Sequence, residues 1–262
     1  MSASPHELMT AKLFFNAAFP TMQVLLDDDP KLDKKFEHFK GIVQFGAKND
    51  DELFCCHLIF NEGKVKVVQG PAEKADLALT FSSIEKMNAL LKGGLAMPAI
   101  KGKLSMLPNV LSLLMGLKIM TKPNDKLKDD TEKALKVKCS LYMITRALSQ
   151  FNKLGDPSMQ EFCLRQPDRI YQFCVEHGGD PAYIACYFRV KAGQSKSGHG
   201  VYTRRSPFVL FRFLSIDGAL KVLGKECEFV EGVELGYVET VGSPEYACYL
   251  NDYMAILQGM LT

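Results

Sequence analysis

The sequence predicts an α+β protein of two successive halves, each carrying five strands and helices in the same order. Three observations predict it. With 262 residues, 47% hydrophobic and 24% charged, the chain can bury two ordinary cores, which excludes a disordered or collagen-like chain. Short apolar runs bounded by turn residues alternate with helical patterns. The whole order of elements then recurs at an offset that drifts from 128 to about 134 residues, as a duplication with small insertions would.

The first helix is announced by Ser4-Pro5-His6-Glu7, a capping box with proline at the first helical position. Strands follow at Gly41–Ala47, Leu53–Phe60 and Lys64–Val68, with Asn61-Glu62-Gly63 as the turn between the last two; they form an antiparallel meander. A fourth strand, Asp76–Phe81, places Leu77, Leu79 and Phe81 on one face and runs into Ser82-Ser-Ile-Glu85, read as a second capping box opening a helix to about Lys92. Leu95–Ile100 reads as a short helix, Gly102–Leu107 as the fifth strand, and Asn109–Met120 as an apolar stretch.

In the second half, helical sequence spans Lys133–Lys153, Gln44-Phe45 recurs as Gln172-Phe173, and Leu53–Phe60 finds its counterpart in Ala182–Val190. Leu77, Leu79 and Phe81 become Val209, Phe211 and Phe213; Ser83, Ile84 and Leu91 become Ser215, Ile216 and Leu223; Gly102-Lys-Leu-Ser-Met becomes Gly236–Thr240. A last helix starts at Ser243-Pro244. The polar segment Thr121–Asp130 divides the halves, giving expected domains 1–125 and 132–262.

Charge and cysteine bound the function. Lys and Arg (32) nearly cancel Asp and Glu (30) with mixed signs along the chain, so no basic field draws in nucleic acid. The eight cysteines show no C-x-x-C pair and read as reduced, apolar residues of a cytoplasmic protein. Residues 1–21 lack the pattern of a signal peptide. The most apolar run, Leu104–Met120, contains Pro108, Asn109 and Lys118 and is expected to fall short of a membrane span.

Phe45–Leu117 resembles the sterol carrier protein two family. The resemblance rests on the meander, on Ala-Asp-Leu-Ala-Leu-Thr-Phe at 75–81, on Met-Asn-Ala-Leu-Leu-Lys-Gly at 87–93 and above all on Ile-Lys-Gly-Lys-Leu at 100–104. It covers most of residues 36–120; the second half is similar only through Phe211–Asp217 and Gly236–Met254. It implies a five-stranded, mostly antiparallel sheet covered by helices, with an apolar tunnel between them for a fatty acyl chain, acyl-CoA, phospholipid or sterol. It brings no catalytic residue, metal or cofactor.

A tunnel needs apolar side chains beyond those that seal sheet to helix. The candidates are Phe81 on the fourth strand, Met87, Leu90 and Leu91 on the helix after it, and Leu95, Met97 and Ile100 beyond. Leu104 and Met106 on the fifth strand and Leu113, Leu114 and Leu117 in the apolar stretch complete the first half. In the second half they are Phe213, Val238, Tyr249, Tyr253 and Leu257. Val110–Met120 is apolar nearly all round, so a bound lipid, the other half, a homodimer partner or transient contact with a membrane must cover its second side. The methionines suit a cavity that adapts to different chains.

All nine tyrosines lie at or after Tyr142 and all seven arginines at or after Arg146; Arg204, Arg205 and Arg212 could meet a carboxylate or phosphate head group, or form a solvated strand face. Gly193–Gly200 approaches a phosphate-loop spacing, but His199 stands where lysine is required, so it reads as a flexible turn. Cys55 and His57 share a strand face without a visible third orienting group, and His177 sits in a turn. The expected function is therefore non-catalytic carriage or sensing of a hydrophobic ligand; the alternatives are an interaction scaffold with closed tunnels and an enzyme using Cys55, His57 or His199.

Overall fold

The computed structural model describes residues 2–262, which divide into two compact units. The first runs to Ile119 and takes in Met260–Thr262; the second is Met120–Gly259.

The first unit opens with α1 (Pro5–Leu13), closed at its N-terminus by the expected capping box: Ser4 Oγ accepts from the Glu7 amide at 3.2 Å, and the Glu7 carboxylate accepts from the Ser4 amide at 2.7 Å. A wide turn at Phe14–Ala18 and a tight one at Phe19–Thr21 carry the chain into α2 (Met22–Asp28). Asp29 then caps α3 (Pro30–Phe36), where proline takes a position that needs no amide donor.

The strands β1 (Lys40–Asn49), β2 (Glu52–Asn61), β3 (Lys64–Gln69), β4 (Leu77–Phe81) and β5 (Ala99–Gly102) form one sheet in the order β3-β2-β1-β4-β5. Every pair is antiparallel except β1 with β4. Glu62 and Gly63 both take positive φ (48° and 73°), the conformation a two-residue hairpin needs to match strand twist. Alternation brings Val43, Phe45 and Ala47 beside Leu77, Leu79 and Phe81, all buried. Phe19 meets Phe45 edge-on at 5.4 Å and Phe45 lies 5.7 Å from Phe81, so aromatic rings fill the centre of this face.

The second unit repeats this architecture. Its helices α6 (Asp130–Lys153) and α7 (Pro157–Leu164) are capped by Asp129 and Asp156, the latter again followed by proline. Its strands β6 (Arg169–His177), β7 (Asp180–Lys191), β8 (Gln194–His199), β9 (Val209–Phe213) and β10 (Val238–Gly242) lie in the order β10-β9-β6-β7-β8, with β6 and β9 the parallel pair. Single contacts recur as well. Gln44 Oε1 accepts from the Ala72 amide and Gln172 Oε1 from the Tyr202 amide, each at 2.9 Å. Ser83 and Ser215 cap the equivalent helices α4 (Ile84–Leu91) and α8 (Ile216–Leu223). All eight cysteines are free thiols and six are buried, in keeping with their reading as small core residues.

Four expectations are corrected. The cap of α4 is Ser83, not Ser82, because Ser83 is extended and presents its hydroxyl to the Lys86 amide. Residues 95–98 form no helix: Gly93, at φ 96°, ends the preceding turn and Pro98 denies a new one. The fifth strand ends at Gly102 instead of starting there, and Leu104–Met106 form a tight turn into α5 (Leu107–Leu117), whose first turn holds Pro108. The segment after Gly193 is strand β8 rather than a flexible turn, with Ala192 and Gly193 making the hairpin. In the second unit α9 (Phe229–Glu234) and α10 (Pro244–Leu261) complete the fold.

Candidate functional site

The candidate site of the first unit lies around α4, α5 and the segments that join them. Helix α4 packs on α1, β1 and β4 and buries Met87, with Leu90 and Leu91 half-buried, while Phe81 closes the strand before it. Helix α5 packs instead on α2 and α3. There the absence of a side chain at Gly116 matters: a Cβ would stand 3.0 Å from a Leu32 methyl and 3.1 Å from a Leu25 methyl. Met106 closes over Gly41 at the start of β1, where an added Cβ would lie 2.6 Å from the Met106 methyl.

These contacts use one side of α5. Of Leu104–Thr121, only Met106, Val110 and Leu113 are buried. Leu114 and Leu117 are half-covered, and Leu104, Leu111 and Met115 stand in the open, the last 60% exposed. The stretch is apolar enough over its 18 residues to cross a membrane by length and composition alone. Its regular helix, however, is 11 residues, about 16 Å, against a hydrocarbon core of about 30 Å. Leu95 (101%) and Met97 (88%) are exposed in the segment between α4 and β5, and Ile100 is on the edge strand, so they are not gathered with Phe81 and Met87.

In the second unit Phe213 and Val238 are buried and pair across β9 and β10. Leu257 is buried, Tyr249 exposed, and Tyr253 half-buried, with its hydroxyl 2.7 Å from Ser158 Oγ.

The polar groups weighed as reactive are otherwise engaged. His57 Nδ1 lies 3.0 Å from the Gly70 carbonyl, and burial raises the pKa of the Cys55 thiol, which disfavours the thiolate a nucleophile needs. Burial pushes the Cys163 and Cys186 thiols up to about 12. His199 stacks on Tyr142 with ring centroids 3.9 Å apart. Desolvation, then the nearby Arg146 and Lys138 charges, hold its pKa below the ordinary 6.5.

That depression fixes a pH response. Below 6.5 the unfolded chain takes up the His199 proton before the folded chain does, so stability falls as pH drops through this value. The carboxylates held low by hydrogen bonds, Asp76, Glu132 and Asp168, lose their contributions only below their ordinary 3.8 to 4.5. The second unit is expected to melt at lower temperature at pH 5.5 than at pH 7.5, with a smaller difference in His199→Gln. Equal slopes in the two proteins would remove His199 from this role.

The arginines singled out in the sequence are mostly neutralised. Arg212 pairs with Glu239 across the β9–β10 ladder, and Arg205 reaches Asp168 at 3.3 Å, while Arg204 is exposed. The arginine that sequence reasoning missed is Arg169. Its guanidinium carbon lies 3.9 Å from the Phe208 ring centre and 4.4 Å from that of Tyr246, and its buried Nη1 has no hydrogen-bond partner among the described residues. No short motif marks it, because Phe208 and Tyr246 come from distant parts of the chain.

Comparison with solved structures finds several matches at low identity. Sterol carrier proteins are what the chain is similar to. It covers 90% of a palmitated sterol carrier protein 2-like protein from Aedes aegypti using 42% of its own length, at 17% identity and a TM-score of 0.31. It covers 94% of the sterol carrier protein domain 2 of Helicoverpa armigera using 45% of its length, at 20% identity and a TM-score of 0.32. For sterol carrier protein 2 of Yarrowia lipolytica in its apo form the shares are 88% and 42%, with 17% identity and a TM-score of 0.28. No protein-family model matches the chain, and no curated protein matches it.

Proposed function

We propose that the first unit is a non-catalytic carrier or sensor of a hydrophobic ligand, taken up along the open apolar side of α5. The observation that carries this reading is α5: an apolar helix that buries Val110 and Leu113 but leaves Leu111 and Met115 in water. An exposed apolar side of this kind supports a binding surface. The sequence resemblance across residues 36–120 supplies the class of occupant, a fatty acyl chain, acyl-CoA, phospholipid or sterol. At about 0.8 kcal/mol per buried CH₂, a long acyl chain gains roughly 10 kcal/mol gross, from which ordering and association costs are subtracted, so binding is firm and reversible. The engaged His57 and the raised Cys55 thiol support carriage rather than catalysis.

The recurrence of strand order, parallel pair, Gln44 and Gln172, and the Asp-Pro helix starts supports the reading that the two units arose by duplication. The eight free thiols fit a reducing compartment, which we take to be the cytoplasm.

Native mass spectrometry of the delipidated chain with a 16-carbon fatty acid tests the proposal. One adduct per chain is expected, lost or reduced at least about tenfold in the double variant Leu111→Asp, Met115→Asp. A wild-type chain that stays empty of fatty acid, phospholipid and sterol would overturn it and favour an interaction scaffold.

A further inference from the structure

We propose that Arg169 is the centre of a second binding site, in the second unit, for the carboxylate or phosphate group of a small amphiphile. The site is independent of the ligand proposed for the first unit.

Strand alternation sets Arg169 and Tyr171 on one face of β6. The guanidinium sits in the corner made by the rings of Phe208 and Tyr246, which meet edge-on at 5.3 Å. Cation–π contact of this kind does not use the N–H donors of the guanidinium, which are left to be paired by hydrogen-bond acceptors. At Nη1 that pairing is missing, although the atom is buried. The Tyr171 hydroxyl beside it donates to Gln166, and burial raises the Tyr171 pKa, so it carries no negative charge to offset the arginine.

The carboxylate next to it in the chain, that of Asp168, is already shared. Asp168 accepts two bonds from Arg189, each 2.7 Å, and lies 3.3 Å from Arg205, so one negative charge serves two arginines before Arg169 is counted. Among the described residues Arg169 forms no ion pair. A partly buried guanidinium without a counter-charge is unfavourable, and an oxyanion is the ligand that corrects it, because its geometry matches the fork.

The fold does not demand the arginine. At the equivalent start of β1 stands Gly41, over which Met106 closes. The second unit has replaced that closed apolar contact with a charge set among half-exposed rings. Phe162, 6.2 Å from Tyr246 and 5.3 Å from Tyr253, extends the aromatic floor on which an apolar body can rest. An anion attached to an aliphatic or aromatic body therefore fits better than a bare ion.

The chain itself supplies the readout. It has no tryptophan, and its nine tyrosines all lie at or after Tyr142, so tyrosine emission reports on the second unit alone. We expect octanoate or octyl phosphate to change that emission saturably in the full chain, with octanol at least about tenfold weaker. Whichever anion binds more tightly identifies the source of the group, carboxylate or phosphate. Arg169→Met keeps the volume between the rings and removes the charge, and should weaken binding about tenfold or more; Arg169→Lys, which keeps charge but not the fork, should fall between. The same anions should raise the melting temperature of the wild-type transition followed by tyrosine emission, which reports the second unit, while octanol does not, a readout that stands if Arg169→Met fails to fold. No response to either anion, an equal response to octanol, or an unchanged affinity in Arg169→Lys and Arg169→Met would overturn the proposal. Any of these would leave the reading of the first unit standing, since that unit contributes no tyrosine emission.

Discussion

Gly102→Val is expected to lower the stability of the first unit by at least about 3 kcal/mol, the largest effect of any single substitution considered, and Gly242→Val to do the same in the second. Both glycines end the outer strand of their sheet with φ near +110°, a conformation L side chains rarely adopt. At Gly102 a Cβ would lie 2.2 Å from the Asp76 carbonyl oxygen; at Gly242 it would lie 2.1 Å from that of Phe208. Both obstacles are backbone, so neither can rotate away. The strand would have to leave β4 or β9, breaking the ladder that holds Ile100 or Val238. Gly63→Ala is the matched control: its φ is also positive, but nothing lies within 4 Å of the added Cβ, and about 1 kcal/mol is expected. Urea denaturation of the three variants checks the ranking, and a cost at Gly102 no greater than at Gly63 would refute the close-approach argument.

Leu114→Trp is expected to reduce fatty acid uptake about tenfold or more while leaving the melting temperature nearly unchanged. Leu114 is half-covered on α5, between the side that packs on α2 and α3 and the open side carrying Leu111 and Met115. On the proposed reading, a larger ring there takes the ligand's space without pushing on the core. Met106→Trp separates the two effects, because Met106 is buried against Gly41 and overpacking there costs about 1–3 kcal/mol. Uptake unchanged in Leu114→Trp would remove α5 from the binding surface.

Local rules made much of the fold legible. The turn at Glu62-Gly63, the box at Ser4 and Glu7, and the alternation of Leu77, Leu79 and Phe81 each depend on residues adjacent in the chain, and the structure has them as read. The fifth strand was misplaced because its end is set by a tertiary contact, the carbonyl of Asp76 against Gly102, which leaves no periodic trace. Apolar character alone could not separate Met87, which is buried, from Leu95 and Met97, which project into water. Arg169 was illegible for a related reason: its meaning lies in the rings of Phe208 and Tyr246 and in the commitment of Asp168 to other arginines. Repetition helped where single residues could not, since Gln44 and Gln172 gain weight only as a pair holding equivalent amides.

The most direct test of the account is methyl NMR of the full chain, labelled at methionine and leucine, with a fatty acid carrying a nitroxide on its chain. Carriage by the first unit predicts paramagnetic broadening of the Met115, Leu111 and Leu114 methyls, with those of Met143 and Met159 in the core of the second unit unaffected. Broadening that spares α5, or none at all at saturating fatty acid, would contradict it.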